Sequence, residues 1–194
     1  MSANVLDKIF GRFGNRLFQS AYIYAQFRDG VIPDLYLQDP KYFEKYALEI
    51  KTLFGQDIGE TMDMVSIHVR RAANPSNLSE PEYSENPFYV NLMETDYYQK
   101  AMSMFSGEDF LIFSDDIEWC KKQDIFKDCE FSEGNTEDDF NFMASCKDNI
   151  IANSSFSYWA AYLNKNLNKK VIAPKAWYTD GGERTKCPPD WIRI

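Results

Sequence analysis

The sequence predicts an α/β protein with a parallel sheet, and three observations support this. Apolar segments alternate with helical segments from Met64 onward, which is the pattern of strands joined by crossover helices. The first of these strands, 64–69, is apolar at four of six positions and ends in Arg70 and Arg71. Polar clusters directly follow the later strands. Because parallel strands end at one edge of a sheet, we expect these clusters to line one ligand-binding crevice.

Composition limits the classes of function that this chain can have. With 194 residues, 44% of them hydrophobic and 16% aromatic, it predicts a globular protein with one substantial core or two small ones. The formal charge of −9 argues against nucleic acid as a partner, because phosphate backbones are bound by basic surfaces. Any bound anion must therefore meet a local cluster of positive charge.

The cysteines and the chain start lead to further expectations. The four cysteines form no CxxC pair, and the chain has a single histidine, so we expect no disulfide and no structural zinc. No segment resembles a signal peptide or approaches the roughly 20 apolar residues of a membrane helix. The sequence therefore predicts a cytoplasmic location.

The N-terminal part predicts a strand, a glycine turn and a helix. The strand covers 5–10, the turn 11–15 and the helix 16–28, whose apolar residues share one face. Gly11 and Gly14 lack the Cβ atoms that would keep an anion from backbone N–H groups and from the helix start. The alternative is that the two glycines form only a tight turn.

The next segments predict a second helix and a long loop. Asp39 and Pro40 begin a helix over 41–54, because proline favours the first helical turn. A linker over 55–63 leads to the strand at 64–69. The loop over 72–87 contains three prolines and starts at the arginine pair, so we interpret it as a flap facing the substrate.

The remaining elements continue the alternation of strands and helices. Thr95 and Thr136 each precede a helical segment and are predicted as its cap. The predicted elements are a helix at 95–105, a strand at 110–113, a helix at 117–123, an edge strand at 129–131, a helix at 136–146, a strand at 149–152, a helix at 156–167 and a strand at 171–173. The segment after 173 is read as a proline-containing tail.

The arginine pair indicates an anion site. Guanidinium groups match phosphate oxygens in geometry as well as in charge, so a pyrophosphate is the first expectation for Arg70 and Arg71. Ser154 and Ser155 stand at a predicted helix start, where hydroxyls and unpaired N–H groups can hold phosphate oxygens. The alternatives are ion pairs with some of the 30 acidic residues for the arginines, and an ordinary N-cap for Ser154.

Two further polar groups follow or belong to the same strands. Asp115 and Asp116 can accept hydrogen bonds from ribose hydroxyls or a purine, although one of them is also placed to cap the helix at 117. His68 lies two residues before Arg70 and therefore shares its strand face. It is either a base or a hydrogen-bonding group that positions the ligand.

Together these residues resemble glycosyltransferase family 11, the inverting α-1,2-fucosyltransferases that use GDP-fucose. The family's His-x-Arg-Arg motif matches 68–71, its Ser-Asp-Asp motif 114–116, and its Asn-Ser-Ser-Phe-Ser-x-Trp motif 153–159. The Gly-x-x-Gly-Asn-x-x-Phe-Gln segment matches 11–19, and 36–43 resembles the family's Tyr-Phe-Gln-Ser-x-Lys-Tyr-Phe segment.

The resemblance implies a GT-B-like fold with a Rossmann-type C-terminal lobe over 63–194 that binds the nucleotide sugar. Residues 1–62 correspond to a reduced N-terminal α/β lobe on the acceptor side, because family members carry more chain between the first helix and the Tyr-Phe-Gln segment. Ala73 stands where the family usually has Asp, which removes a carboxylate that could orient an arginine or act as a base.

The resemblance also implies the reaction, in which fucose moves from GDP-fucose to a hydroxyl of a glycan acceptor with inversion and without a metal. It assigns catalysis to Arg71, Arg70 and His68. It assigns donor binding to Gly14, Asn15, His68, Arg70, Arg71, Ser114, Asp115, Asp116, Asn153, Ser154, Ser155 and Phe156. The alternatives are a catalytically weak relative that binds a GDP-sugar, and another α/β nucleotide-binding enzyme.

Overall fold

The computed structural model describes residues 13–29, 38–71 and 88–194, without the side chains of 26–29. Its centre is a sheet of six strands in which every neighbouring pair is parallel. The strands are β1 (Met62–Val69), β2 (Phe110–Ser114), β3 (Glu130–Phe131), β4 (Cys146–Ile150), β5 (Val171–Ala173) and β6 (Ile192–Arg193). The predicted α/β class and parallel sheet are confirmed.

Six α-helices surround this sheet in the described part of the chain. They are α1 (Phe13–Asp29), α2 (Ala47–Phe54), α3 (Tyr97–Ser103), α4 (Ile117–Cys120), α5 (Thr136–Ser145) and α6 (Ser155–Leu163). From β1 to β5 each strand is followed by a helix before the next strand, which is the connection that parallel strands require.

The sheet is covered on both faces by apolar side chains. On one face, Val65, Ile67 and Val69 of β1 pack in a core with helix α3. On the other face, α1, α2, α5 and α6 form a second core that contains Phe18, Trp159 and other buried aromatic residues. Burial on both faces explains why the last five residues of β1 are all buried.

Helix α1 begins earlier than the sequence predicts. It starts at Phe13, so Gly14 and Asn15 lie in its first turn and not in a preceding glycine turn. Backbone N–H groups in a first turn have no partner within the helix, so a helix start tolerates glycine well. The predicted strand at 5–10 and Gly11 lie outside the described residues, as do Ala73 and the whole 72–87 loop.

The other boundaries differ in smaller ways. The helix predicted over 41–54 is two short 3-10 turns followed by α2, and Asp39 caps the first turn. Asn135, and not Thr136, is the N-cap of α5. Thr95 accepts a hydrogen bond from the N–H of Tyr97, while Asp96 occupies the N-cap position of α3.

Strand β6 is the element that the sequence interpretation missed. Its two residues pair with Ile172 and Ala173 of β5, within the segment read as a tail. A two-residue strand has no apolar run or alternation to detect. The division into lobes at residue 62 stays a prediction, and the structure shows that α1 and α2 share one core with α6.

Candidate functional site

The strand order places a ligand crevice at the centre of the sheet. The order β3-β2-β1-β4-β5-β6 is that of a doubly wound nucleotide-binding fold. In this fold the order in which strands are added reverses between β1 and β4, although all the strands stay parallel. A cavity of about 690 Å³ opens at the carboxyl ends of these strands. Ten predicted site residues line it: Gly14, Asn15, His68, Arg70, Ser114, Asp115, Asn153, Ser154, Ser155 and Phe156.

Arg70 brings positive charge to the cavity and is paired with a carboxylate. Its Nη1 donates to Oδ2 of Asp115, and both side chains are largely buried. The other oxygen of Asp115 accepts from the backbone N–H of Arg71 at 2.8 Å. The alternative considered for the arginines, an ion pair with an acidic residue, therefore holds for Arg70. This pair fixes the guanidinium at the wall of the cavity.

Arg71 and Asp116 lie outside the described lining of the cavity. The guanidinium carbon of Arg71 is 3.7 Å from the centroid of the Trp119 ring, a cation–π contact. Asp116 accepts from the N–H of Trp119 at 3.2 Å and so caps α4. Arg70 and Asp115 therefore line the cavity, whereas their neighbours Arg71 and Asp116 contact α4.

His68 lies near the carboxyl end of β1, where its side chain is buried and neutral. It is 4% exposed, and its Nδ1 lies 3.0 Å from the Oγ of Ser157. Its ring centroid is 5.6 Å from that of Phe156. Burial lowers the pKa of His68 to about 3 because it disfavours the charged imidazolium. Such a histidine suits hydrogen bonding at neutral pH better than proton abstraction.

The start of α6 carries the serine cluster. The Oγ of Ser154 accepts from the N–H of Phe156 at 3.3 Å, so Ser154 is the N-cap, as the alternative interpretation held. Asn153 donates to the carbonyl oxygens of Val90 and Trp177 at 2.8 and 3.1 Å. Asn153 therefore ties the end of β4 to the neighbouring loops, while the first turn of α6 remains part of the cavity wall.

The start of α1 meets the start of α6 in the same cavity. A Cβ atom on Gly14 would lie 2.4 Å from the carbonyl carbon of Ser155, so only glycine permits this approach. The Oδ1 of Asn15 accepts from the Oγ of Ser155 at 2.9 Å. Neither helix has an acidic residue in its first turn. The positive ends of two helix dipoles therefore reinforce one another beside Arg70.

A hydrogen-bond chain fixes the orientation of Asn15. Its Oδ1 also accepts from the Nε2 of Gln38 at 3.1 Å, and the Oε1 of Gln38 accepts from the Oγ1 of Thr185 at 2.5 Å. Thr185 in turn lies 2.9 Å from the hydroxyl of Tyr178. With Oδ1 engaged twice, the amide nitrogen of Asn15 is its remaining group for a ligand, and it is a donor.

Nine lining residues were absent from the sequence prediction of the site. They are Phe13, Arg16, Gln38, Tyr89, Phe113, Thr136, Asp139, Trp177 and Tyr178. Gln38 belongs to the Tyr-Phe-Gln segment, so its motif was a usable signal. The tyrosines and Trp177 come from loops that are joined to each other by backbone pairing of 88–90 with 177–179, which the sequence pattern does not mark.

Asp139 is a half-buried carboxylate at this wall. It lies in the first turn of α5, and its Oδ1 accepts from the Oγ of Ser132 at 2.5 Å. Burial raises the pKa of Asp139, and the nearby Asp138 adds to this, while the Ser132 hydrogen bond acts in the opposite direction. The sequence interpretation named only Thr136 in this segment, as a helix cap, and did not identify Asp139 as a site residue.

Comparison with known proteins identifies the family. The model of glycosyl transferase family 11 matches residues 12–194. The chain belongs to glycosyltransferase family 11. This family 11 chain is 33% identical over 180 residues to an alpha-1,2-colitosyltransferase of Escherichia coli, covering 81% of this chain and 60% of that protein. The resemblance drawn from the motifs is confirmed.

A second relative supports the same assignment. The family 11 chain is 29% identical over 190 residues to the O-antigen biosynthesis glycosyltransferase WbnK of Escherichia coli, covering 91% of this chain and 59% of that protein. The chain thus spans about 60% of the length of the curated relatives that it matches.

The described residues offer neither a cluster of metal ligands nor a membrane-spanning helix. Within 13–29, 38–71 and 88–194, no group of three or more His, Cys, Asp or Glu side chains is arranged to hold a metal ion. In the same ranges, no helix has the length and apolar character needed to cross a bilayer. All four cysteines lie in these ranges and are free thiols.

Proposed function

We propose that this family 11 chain transfers fucose from GDP-fucose to a hydroxyl of a glycan acceptor, forming an α-1,2 linkage with inversion at the anomeric carbon. The family and the relatives support the transfer of a sugar, and the α-1,2 linkage appears in the name of the colitosyltransferase. The cavity, with a volume of about 690 Å³, is of the size that small-molecule ligands occupy.

One observation carries the proposal. Arg70 and residues of the first turns of α1 and α6 line one cavity at the sheet edge where doubly wound sheets bind nucleotides, beside the point between β1 and β4 at which the strand order reverses. Unpaired N–H groups at a helix start favour an anion, and guanidinium groups favour phosphate oxygens. The arrangement therefore fits a diphosphate held without help from a metal ion.

Asp139 favours guanine as the base of the donor. Its carboxylate lines the cavity near Thr136, in the segment that follows β3, and so lies to one side of the central diphosphate position. Guanine offers two adjacent N–H donors that a carboxylate can accept together, whereas adenine and uracil do not offer this pair. Asp115 directly follows β2 and so lies between the proposed positions of guanine and of the diphosphate, where the ribose hydroxyls would lie.

The proposed position of the diphosphate also indicates which groups stabilise the reaction. When an acceptor hydroxyl attacks the anomeric carbon, its proton passes to water, the bond between the anomeric carbon and the β-phosphate oxygen breaks, and negative charge grows on that phosphate. Arg70 and the first-turn N–H groups of α1 and α6 are already oriented to stabilise this charge; one such preorganised donor typically contributes roughly 3–4 kcal/mol. His68 stays neutral and acts as a hydrogen-bonding group beside them. Arg71 supports the site through its backbone contact with Asp115.

A thermal-shift panel tests the donor. We expect GDP and GDP-fucose to raise the melting temperature of the protein, UDP and NAD to have little effect, and EDTA to leave the GDP shift unchanged. Arg70→Ala should abolish the GDP shift. Arg193→Ala is the matched control, because Arg193 is an exposed arginine outside the cavity lining.

The outcomes separate the proposal from its rivals. Equal stabilisation by UDP or NAD would mean that the donor is a different nucleotide. GDP binding without fucose transfer or donor hydrolysis would favour a relative that binds a GDP-sugar but transfers it weakly. That second candidate is suggested by Ala73, which stands where the family usually has an aspartate that could orient an arginine or act as a base.

A further inference from the structure

The cavity has two chemically different ends. Thr136 and Asp139 follow β3 at one end, whereas Trp177 and Tyr178 follow β5 at the other. Four strand spacings separate β3 from β5, so their carboxyl ends are roughly 19 Å apart at about 4.8 Å between neighbouring strands. The two helix starts lie between these ends. An extended nucleotide sugar can therefore lie across the sheet edge with its diphosphate in the middle.

The end near β5 has an aromatic wall. The rings of Tyr89 and Tyr178 are 5.4 Å apart between centroids, and Trp177 lies beside them in the cavity lining. Gln38 supplies an amide beside these rings, and its orientation is set by Asn15 and Thr185. This composition suits a neutral ligand with both apolar and hydroxyl groups.

Backbone pairing holds this wall in place. Tyr89 and Tyr178 form an antiparallel bridge, and the N–H of Val90 donates to the carbonyl of Trp177 at 3.1 Å. Asn153, which is 5% exposed, donates to the carbonyl oxygens of both Val90 and Trp177. The aromatic wall is therefore attached to the residue that directly precedes the serine cluster at the start of α6.

We propose that this aromatic end is the subsite for the transferred sugar, and that Tyr89, the less buried of the two paired tyrosines, receives the methyl group of a 6-deoxyhexose. The inference rests on the proposed function, which places the diphosphate at the helix starts and guanine near Asp139. The sugar attached to the β-phosphate must then extend toward β5. Fucose carries a methyl group where most hexoses carry a hydroxymethyl group, and an apolar aromatic wall favours the methyl group.

Calorimetric titration with three probes tests the subsite. The probes are GDP, GDP-fucose and GDP-L-galactose, which differs from GDP-fucose by a hydroxyl on the methyl carbon. We expect the protein to bind GDP-fucose about tenfold more tightly than GDP-L-galactose, a ratio that one small group in an apolar pocket can provide. Tyr89→Ala should remove this ratio and leave the affinity for GDP unchanged.

Two variants separate a specific effect from a structural one. Tyr89→Phe keeps the ring and should keep the preference for GDP-fucose. Tyr42→Ala is the matched control, since Tyr42 is also a half-buried tyrosine with a neighbouring tyrosine ring at 5.4 Å, but it lies outside the cavity lining. Its affinities for all three probes should equal those of the unmodified protein.

The possible results point in different directions. If Tyr89→Ala weakens GDP and GDP-fucose equally, or leaves the preference for GDP-fucose intact, the sugar subsite is elsewhere. If Tyr89→Ala instead changes only the apparent affinity for the glycan acceptor in a transfer assay, the aromatic end belongs to the acceptor. If the unmodified protein binds none of the three probes, the proposed function itself is wrong.

Discussion

Gly14 is the residue on which the meeting of the two helix starts depends. An alanine there would place its Cβ 2.4 Å from the carbonyl carbon and 2.5 Å from the carbonyl oxygen of Ser155, and both atoms belong to backbone that cannot easily move. We expect Gly14→Ala to lower the free energy of unfolding by roughly 1–3 kcal/mol, the usual cost of overpacking. Urea denaturation measures this change.

Gly59→Ala is the control for this substitution. A Cβ on Gly59 would find only the Oγ of Ser145 nearby, at 3.7 Å, which is an ordinary contact. Its unfolding free energy should therefore stay within about 1 kcal/mol of the original value or rise slightly, because alanine restricts the unfolded chain. Equal losses at both glycines would show that the helix starts do not approach as described.

His68 provides a second test at the residue scale, because it is the one histidine of the chain. Since burial lowers its pKa to about 3, the imidazole should stay neutral in the folded protein between pH 5 and pH 8. NMR signals of the ring should then be flat over that range. A titration centred near pH 6.5 would contradict the buried, neutral assignment.

The same shift of the His68 pKa predicts how stability depends on pH. Above the unfolded pKa of about 6.5, the imidazole is neutral in both states. Below it the unfolded chain binds a proton that the folded protein does not, so stability falls by up to about 1.4 kcal/mol per pH unit until the folded pKa is reached. His68→Gln should show a shallower loss of unfolding free energy on acidification.

Asp139 should affect binding and stability in opposite directions. Burial raises its pKa, so the folded protein binds a proton more readily than the unfolded chain, and stability declines as the pH rises through this range. We expect Asp139→Asn to be at least as stable at neutral pH. It should bind GDP about tenfold more weakly, because hydrogen bonds to a charged group contribute about 1.5–3 kcal/mol.

Calorimetry with GDP and thermal melting measure the two effects of Asp139→Asn. Glu137→Gln is a suitable control, because Glu137 lies in the same first turn of α5 but outside the cavity lining. Unchanged GDP affinity in Asp139→Asn would show that guanine binds elsewhere.

At the scale of elements, helix α1 depends on its contact with α6. Phe18 is 1% exposed, and its ring centroid lies 4.7 Å from that of Tyr158 and 5.1 Å from that of Trp159. We expect Phe18→Ala to cost roughly 3–5 kcal/mol in the free energy of unfolding, as for other buried aromatic residues. Leu48→Ala, at a position that is 77% exposed, should cost far less.

The contact also predicts a functional effect. Because α1 carries Gly14 and Asn15 into the cavity, loosening the helix should weaken GDP binding although Phe18 does not line the cavity. The milder Phe18→Leu, measured below its melting temperature, separates this effect from unfolding. GDP affinity that is unaffected by Phe18→Leu and Phe18→Ala in their folded states would show that α1 does not take part in binding.

The sequence predicted those elements whose pattern of apolar and capping residues matches their burial in the folded protein. β1 was recognisable because it is buried on both faces and is apolar at four of the six positions of 64–69, and α6 because Ser154 caps an apolar segment. The start of α1 was misplaced because a glycine near a helix start resembles a turn. Gly14 is required there by the backbone of Ser155, which lies 141 positions away in sequence and leaves no local signal.

The site was predictable in part for the same reason. Several site residues were found because their motifs lie at or just after strand ends, which a parallel sheet brings together. They are His68, Arg70 and Ser154. Asp139 and Tyr89 reach the cavity through tertiary packing and loop pairing, so their neighbours in sequence do not mark them. The sequence also could not distinguish Arg70, at the cavity, from Arg71, against Trp119.

At the scale of the whole molecule, the order of the strands decides where each part of the ligand lies. In the proposed function, a chain with a formal charge of −9 binds an anion at a cavity that is lined by Arg70 and by the starts of two helices. The same order sets Asp139 and the aromatic wall on opposite sides of that point. In the proposed complex, the direction of the donor therefore follows from topology.

A crystal structure of the protein with GDP tests this central claim most directly. We expect the diphosphate between the first turns of α1 and α6, within hydrogen-bond distance of Arg70, and guanine beside Asp139. GDP bound outside this cavity, or bound in it with guanine against Tyr89 and Tyr178, would contradict the account.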